Sequence, residues 1–172
     1  IGQLLRRLID YQMFTIMLLD EKGETLVTRS AWRFGYSHAP LRRLPADKGL
    51  VGAAVQEWRF INVPDVHKDP RYLPMNDETN SELVAPLFYK GRIIGVLDLE
   101  HTRPHFFTGD HERILTTLAA QIAIAIENAN LYQAVHAQER QLESDIAMAR
   151  EVQLRLLPSE APSQPHAGMD VR

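Results

Sequence analysis

The chain has 172 residues and no cysteine. That absence excludes disulfides, thiolate metal sites, a cysteine nucleophile and thioether attachment of a chromophore. Uninterrupted apolar runs never approach ~20 residues, so no membrane span is expected. Neither charge sign dominates: 19 Lys and Arg against 22 Asp and Glu leave a net −3. Such a balance gives no electrostatic footprint for nucleic acid. No secretory signal is recognisable, and the first residue is Ile1. The expectation is a cytoplasmic piece cut from a longer protein.

Residues 81–101, SELVAPLFYKGRIIGVLDLEH, organise the rest. Two apolar runs flank Lys90-Gly91, which reads as the tight turn of a β-hairpin. A turn centred there pairs Phe88 with Ile93, Pro86 with Gly95 and Val84 with Leu97. One face then carries Val84, Phe88, Ile93, Leu97 and Leu99. The other carries Leu83, Ala85, Leu87, Ile94 and Val96, with Asp98 as its polar exception. Apolar residues on both faces mark inner strands covered on both sides. Pro86 cannot donate to a ladder and predicts a local irregularity nearby.

Upstream, Leu4, Leu5, Leu8 and Ile9 form one helical stripe. Residues 14–19 and 25–34 predict two strands joined by the charged turn 20–24. Gly49 to Trp58 reads as a short, closely packed helix. No Lys-Ser or Lys-Thr follows its Gly-x-x-Gly, so it is not a phosphate loop. Residues 60–63 predict a strand stopped by Pro64, and 65–80 an irregular loop with one helical turn.

Downstream, Thr108 is placed to cap a helix, with Asp110 and Glu112 in its first turn. No Gly or Pro interrupts residues 110–157, which predicts a helix of roughly 48 residues, ~70 Å long. Leu115, Leu118, Ile122, Ile126 and Ala129 supply its buried stripe. Beyond it, Val135, Leu142, Ala149 and Leu156 recur in seven-residue steps beside Leu131, Gln138, Asp145 and Val152. This weak heptad predicts a coiled-coil homodimer, with a single solvated helix carrying many charges as the alternative. The expected organisation is a domain at 1–133, a linker helix at 134–157 and an extended start of a further domain at 158–172.

In that order, GLVGAAV, INVPDVHKDPRY, SELVAPLFYKGRIIGVLDLEH and FTGDHERILTTLAAQIAIAIENANLY resemble a GAF domain, a small sensor module. The resemblance implies an α+β fold with a six-stranded antiparallel sheet. Helices pack on one face, and a loop-covered pocket lies on the other. Residues 149–158, AREVQLRLLP, resemble the lead-in to a SpoIIE/RsbU-like, type-2C metal-dependent serine/threonine phosphatase. The resemblance implies a GAF regulator linked to such a phosphatase in bacterial signalling, the fragment itself being no enzyme.

The resemblance implies candidate ligand-pocket residues near the segments that line GAF pockets: Trp58, Phe60, Asp65, Tyr72 and Asp98, aromatic walls with a few polar groups. A structural role competes, with the aromatics in the core and Asp65 capping the turn after Pro64. No catalytic nucleophile–base pair is visible. His101, His105 and His111 are close in sequence, but Pro104 and the missing His-Glu-x-x-His spacing argue against a metal. No cofactor is expected, and the small-molecule ligand has no identity from sequence. Bilin-binding and methionine-sulfoxide-reducing GAF relatives use cysteines, so those functions are excluded. Phe106 to Glu112 imitates part of the cyclic-nucleotide signature but lacks its Asn-Lys. The alternatives to a sensor are a ligand-free dimerisation scaffold and a cyclic-nucleotide or haem-binding GAF domain.

Overall fold

The computed structural model describes residues 6–33, 36–37 and 42–156, with side chains at all of these except 36, 37, 154 and 156. The expected stripe at 4–9 lies partly outside this range, and the segment 158–172 wholly so.

Seven strands form one antiparallel sheet: β1 (Met13–Leu19), β2 (Thr25–Arg33), β3 (Tyr36–Ser37), β4 (Arg43–Pro45), β5 (Ile61–Val63), β6 (Ser81–Tyr89) and β7 (Arg92–His101). The order is β3-β2-β1-β7-β6-β5, and β4 also pairs with β2. β3 pairs with Trp32 and Arg33, whereas β4 pairs with residues 25–27. These two short strands therefore share one edge of β2, and the sheet is six strands wide. This is the six-stranded α+β architecture expected of the sequence.

The β6–β7 hairpin sits near the centre. Its turn residues Lys90 and Gly91 have φ of 46° and 77°, the mirror-image turn whose twist suits a two-residue hairpin. Phe88 pairs with Ile93 as expected, but the register then shifts. Leu87 faces Gly95, Pro86 faces Val96 and Val84 faces Asp98, so the other two expected pairs are each displaced by one residue. One extra residue on β7, Ile94, is accommodated as a bulge beside the expected irregularity. A slip of one residue moves every subsequent side chain to the opposite face. Leu97 and Leu99 accordingly join Leu83, Ala85 and Leu87, while Val96 and Ile93 join Val84. Gly95 is forced by close approach: a Cβ there would meet Leu18 Cα of β1 at 2.9 Å.

Two cores cover the sheet. On one face, helix α1 (Gly49–Glu57) buries Leu50, Val51, Ala53, Ala54 and Val55 against Met17, Leu26, Val84 and Val96. Its end is set by Trp58, whose φ of 55° is left-handed. On the other face, helix α2 (Gly109–Leu156, 48 residues) buries Leu115, Ala119, Ile122 and Ala123 against Phe14, Leu83 and Leu97. Leu118 and Ile126 are only partly buried, and Ala129 is exposed. At the α2 start the Thr108 N–H donates to His111 Nδ1 at 3.3 Å, the reciprocal half of a cap.

Part of α2 is long and apolar enough to cross a membrane by length and composition alone. Its buried side chains, however, belong to the protein's own core. The chain divides into two compact units, Ile1–Asn128 and Ala129–Arg172. In the second, the described residues are helical, and 129–153 and 155 are exposed.

Candidate ligand cleft

The α1 face of the sheet is apolar except at one end, where three carboxylates gather. Alternation along each strand decides which residues meet there. Met13, Glu100 and Glu82 lie in one cross-strand row, and Thr15, Asp98 and Val84 in the next. Glu82 and Asp98 are each only 6 % exposed. Burial penalises their charged forms and pushes both carboxyls well above the ordinary range. The negative charge of Asp98 adds to the effect at Glu82, and that of Glu100 adds at both. The mutual interaction of the two carboxyls further raises Glu82 and partly offsets the rise at Asp98. Glu100 is also raised by burial, against the lowering effect of a Thr79 hydrogen bond and of Arg42 and Arg33.

Asp98 Oδ1 is buried with no hydrogen-bond partner. A desolvated carboxylate oxygen left unpaired costs about 1–3 kcal/mol or more. Asp98 lines a cleft of ≈ 80 Å³, whose sides include Thr15, Thr28, Trp32, Arg33 and Arg42. A smaller lobe of ≈ 20 Å³ shares Asp98 and Glu100 and adds Tyr72 and Leu73. Burial, followed by the charges of Glu100 and Glu82, pushes the Tyr72 phenol to about 12. It therefore stays protonated and donates to the Asn76 carbonyl at 3.3 Å.

Residues 72–79 form a strap along the cleft, held largely by side chains. Arg33 Nη2 donates to Asn76 Oδ1 at 3.0 Å and to Glu78 at 2.8 Å. Arg42 Nη1 donates to the Met75 carbonyl at 3.3 Å. The Asn76 amide donates to Thr79 Oγ1 at 2.9 Å, and the Thr79 hydroxyl donates to Glu100. The cleft thus has an acidic floor, hydroxyls and apolar Met and Trp on its walls, and two guanidinium groups at its side.

The five residues singled out from sequence do not assemble together. Asp98 and Tyr72 line the cleft. Trp58 is 55 % exposed and packs on Phe88 with ring centroids 6.0 Å apart. Phe60 packs into the α2-side core, on the opposite face. Asp65 caps the 3₁₀ turn Val66–Lys68 through the His67 N–H and pairs with Lys68 at 2.9 Å; its Lys68 hydrogen bond, against a small desolvation, lowers its pKa. Glu82, Glu100, Arg33 and Arg42 were not foreseen. The available signal was acids spaced by two, Asp98 and Glu100, in an otherwise apolar strand.

Among the described residues, no group of three or more His, Cys, Asp or Glu has metal-binding geometry, and no histidine lines either lobe. His101 is buried, stacked on Phe106 at 3.6 Å, and its Nδ1 accepts the Arg103 N–H at 2.9 Å. It is a core histidine.

A six-wide antiparallel sheet with a helix on each face and a strapped acidic cleft defines a small α+β domain. The GAF domain profile matches residues 1–126, and the chain belongs to that family. Among curated proteins, it is 38 % identical over 80 residues to the free methionine-R-sulfoxide reductase of Escherichia coli, covering 46 % of this chain and 48 % of that one. The chain spans about half the length of the curated relatives it matches. Among solved structures, it resembles the free methionine-R-sulfoxide reductase of Neisseria meningitidis in complex with its substrate. The TM-score is 0.64 at 26 % identity, with 75 % of each chain covered. The GAF domain of an Acinetobacter phosphoenolpyruvate-protein phosphotransferase gives 0.63 at 26 % identity, covering 76 % of this chain and 78 % of the other.

Proposed function

We propose that this GAF domain is a non-enzymatic sensor whose cleft receives a small zwitterion of the amino-acid class. The observation that carries the reading is Asp98, which lines the cleft beside Glu82 and Glu100 and whose Oδ1 is buried and unpaired. An ammonium group supplies both the missing donors and the charge that would let these carboxyls ionise. Arg33 and Arg42 at the side suit a carboxylate, and Met13, Met17 and Trp32 suit an apolar side chain. A phosphate would meet three carboxylates, so the acidic floor disfavours a cyclic nucleotide. The reductase relatives support an amino-acid-sized ligand, since the substrate in their name is free methionine sulfoxide. Reduction by a protein thiol is closed to a chain without cysteine, which supports binding without turnover.

The test is thermal denaturation with L-methionine, L-methionine sulfoxide and other L-amino acids, each beside its des-amino analogue. An amino acid at ~100 times its dissociation constant should add about 2.7 kcal/mol. Equal stabilisation by a des-amino analogue, or none by any amine, overturns the reading. Release of stoichiometric methionine from the sulfoxide with a thiol reductant overturns its non-enzymatic part.

The output we assign is control of a type-2C phosphatase domain beyond residue 172. Its support is the lead-in-like segment 149–158, which lies outside the matched span 1–126. A parent sequence without the acidic metal-binding motifs of that fold after residue 172 overturns this assignment.

A further inference from the structure

Without cysteine, the sulfur of this chain is confined to five methionines. Three of them, Met13, Met17 and Met75, line the larger lobe of the cleft. Their exposure is graded. Met17 is 1 % exposed and Met13 8 %, whereas Met75, on the strap, is 39 % exposed. Met148, on α2, lines neither lobe and is 62 % exposed. Met169 lies outside the described residues.

Among the described residues, Met75 is the one methionine that lines both lobes, in each case together with Asp98 and Glu100. With Leu73 it supplies the apolar contact of the strap to the smaller lobe, whose wall includes Leu44, Leu50 and Val51. The backbone tie at this point is weak: the Met75 carbonyl accepts from Arg42 at 3.3 Å in an exposed position. How firmly the strap sits here therefore depends on the Leu73 and Met75 side chains. A thioether suits that wall, being apolar and adaptable. Its sulfoxide is polar and chiral, and reductases can restore the thioether.

We propose that Met75 is an oxidation switch of the cleft, at which a peroxide converts the thioether to the sulfoxide, loosens the strap and weakens ligand binding. The Sδ lone pair attacks one peroxide oxygen, the O–O bond breaks and hydroxide leaves. The proton of the new S–OH group passes to that hydroxide, giving the sulfoxide and water. Sulfur loses two electrons and the peroxide gains them. A sulfoxide gains more from water than from the wall of Leu44, Leu50 and Val51, so the side chain turns outward and the strap loses its contact. Weakened binding rests on the amino-acid reading of the cleft, whereas the oxidation and the loosening do not.

The test compares the wild-type chain, Met75→Leu and Met148→Leu, each before and after hydrogen peroxide and removal of the excess with catalase. Peptide mass spectrometry should locate added oxygen at Met75 and Met148 ahead of Met13 and Met17. Amide hydrogen exchange in residues 72–79 should quicken at least threefold on oxidation of wild type and Met148→Leu, and stay as it was in Met75→Leu. Affinity for L-methionine should fall at least fivefold in the same two proteins only. Oxidation of Met13 or Met17 before Met75 overturns the proposal. So does exchange or affinity unaltered by stoichiometric Met75 sulfoxide, or equal peroxide sensitivity in Met75→Leu. Failure of L-methionine to bind before oxidation counts against the ligand reading, and the exchange comparison then decides the switch.

Discussion

Replacing Glu82 by Gln should make the domain more stable at neutral pH and worse at binding. Gln preserves size and can still donate to Asp98, so the substitution removes ionisable character and little else. Glu82 lies directly across from Glu100 and next to the row of Asp98. Side chains in such cross-strand positions start about 5 Å apart. Two full negative charges at that distance repel by roughly 3 kcal/mol at an effective dielectric constant of 20. The folded protein relieves this by holding protons, which itself costs stability once pH exceeds the unfolded pKa values. The sign follows from linkage: folded carboxyls with raised pKa bind more protons than unfolded ones, so stability falls as pH rises from about 4 through the folded values. Glu82→Gln should therefore gain about 1–3 kcal/mol at pH 7.5, or about 3–10 °C in Tm. At pH 4 the gain should shrink towards zero. Differential scanning calorimetry of both proteins at the two pH values measures this, and titration with the amino acid found to bind should show at least tenfold weaker affinity. A lower Tm at pH 7.5, or a gain that does not depend on pH, would refute the electrostatic reading of the cleft.

Gly95→Ala should be severe, above about 3 kcal/mol, because its Cβ collides with the β1 backbone; loss of a cooperative thermal transition, or a much lower Tm, checks it. Arg33→Ala should cost under ~1 kcal/mol globally, since its ion pair with Glu78 is half exposed. Hydrogen exchange in residues 73–78 should nevertheless quicken as the strap loses its tie. His101 is held below its ordinary pKa first by burial, then by Arg103. It contributes stability above pH 6.5 that is lost as pH falls through its folded pKa, and an NMR titration midpoint above 6.5 would contradict this. Asp65→Ala should lower Tm through loss of the cap, with amino-acid affinity unchanged, as calorimetry would show.

Local signals made much of this fold legible. Lys90-Gly91 located the central hairpin, and the run without Gly or Pro located α2 with its full length. What sequence could not locate was register. Nothing in RIIGVL says which residue will be the extra one, since Ile93, Ile94 and Val96 are equally content on either apolar face. The bulge follows from how β1 and β6 both fit β7, a tertiary fact. The cleft was harder for the same reason. Asp98 stood out as an acid in an apolar strand, whereas Glu82 sits at the start of a strand where a charge looks ordinary. Its burial depends on residues 72–79, a strap tied by Arg33 at the end of β2 and Arg42 just before β4. Trp58 and Phe60 were singled out with Asp98, but Trp58 packs on Phe88 away from the cleft residues and Phe60 joins the α2-side core.

The bulge at Ile94 makes the chemistry of the cleft a matter of counting. With one residue fewer between Ile93 and Asp98, the strand beyond the hairpin turn would present its alternate set. Leu97 and Leu99 would face the strap, and Asp98 and Glu100 would be driven into the hydrocarbon beneath α2. No single substitution at the bulge undoes the acidic floor, because every side chain there keeps its pleat. A deletion of one residue does so completely while leaving composition almost untouched. Lineages of this domain can therefore drift freely in which apolar residue occupies position 94, but the length of β7 is a discrete variable with two incompatible settings.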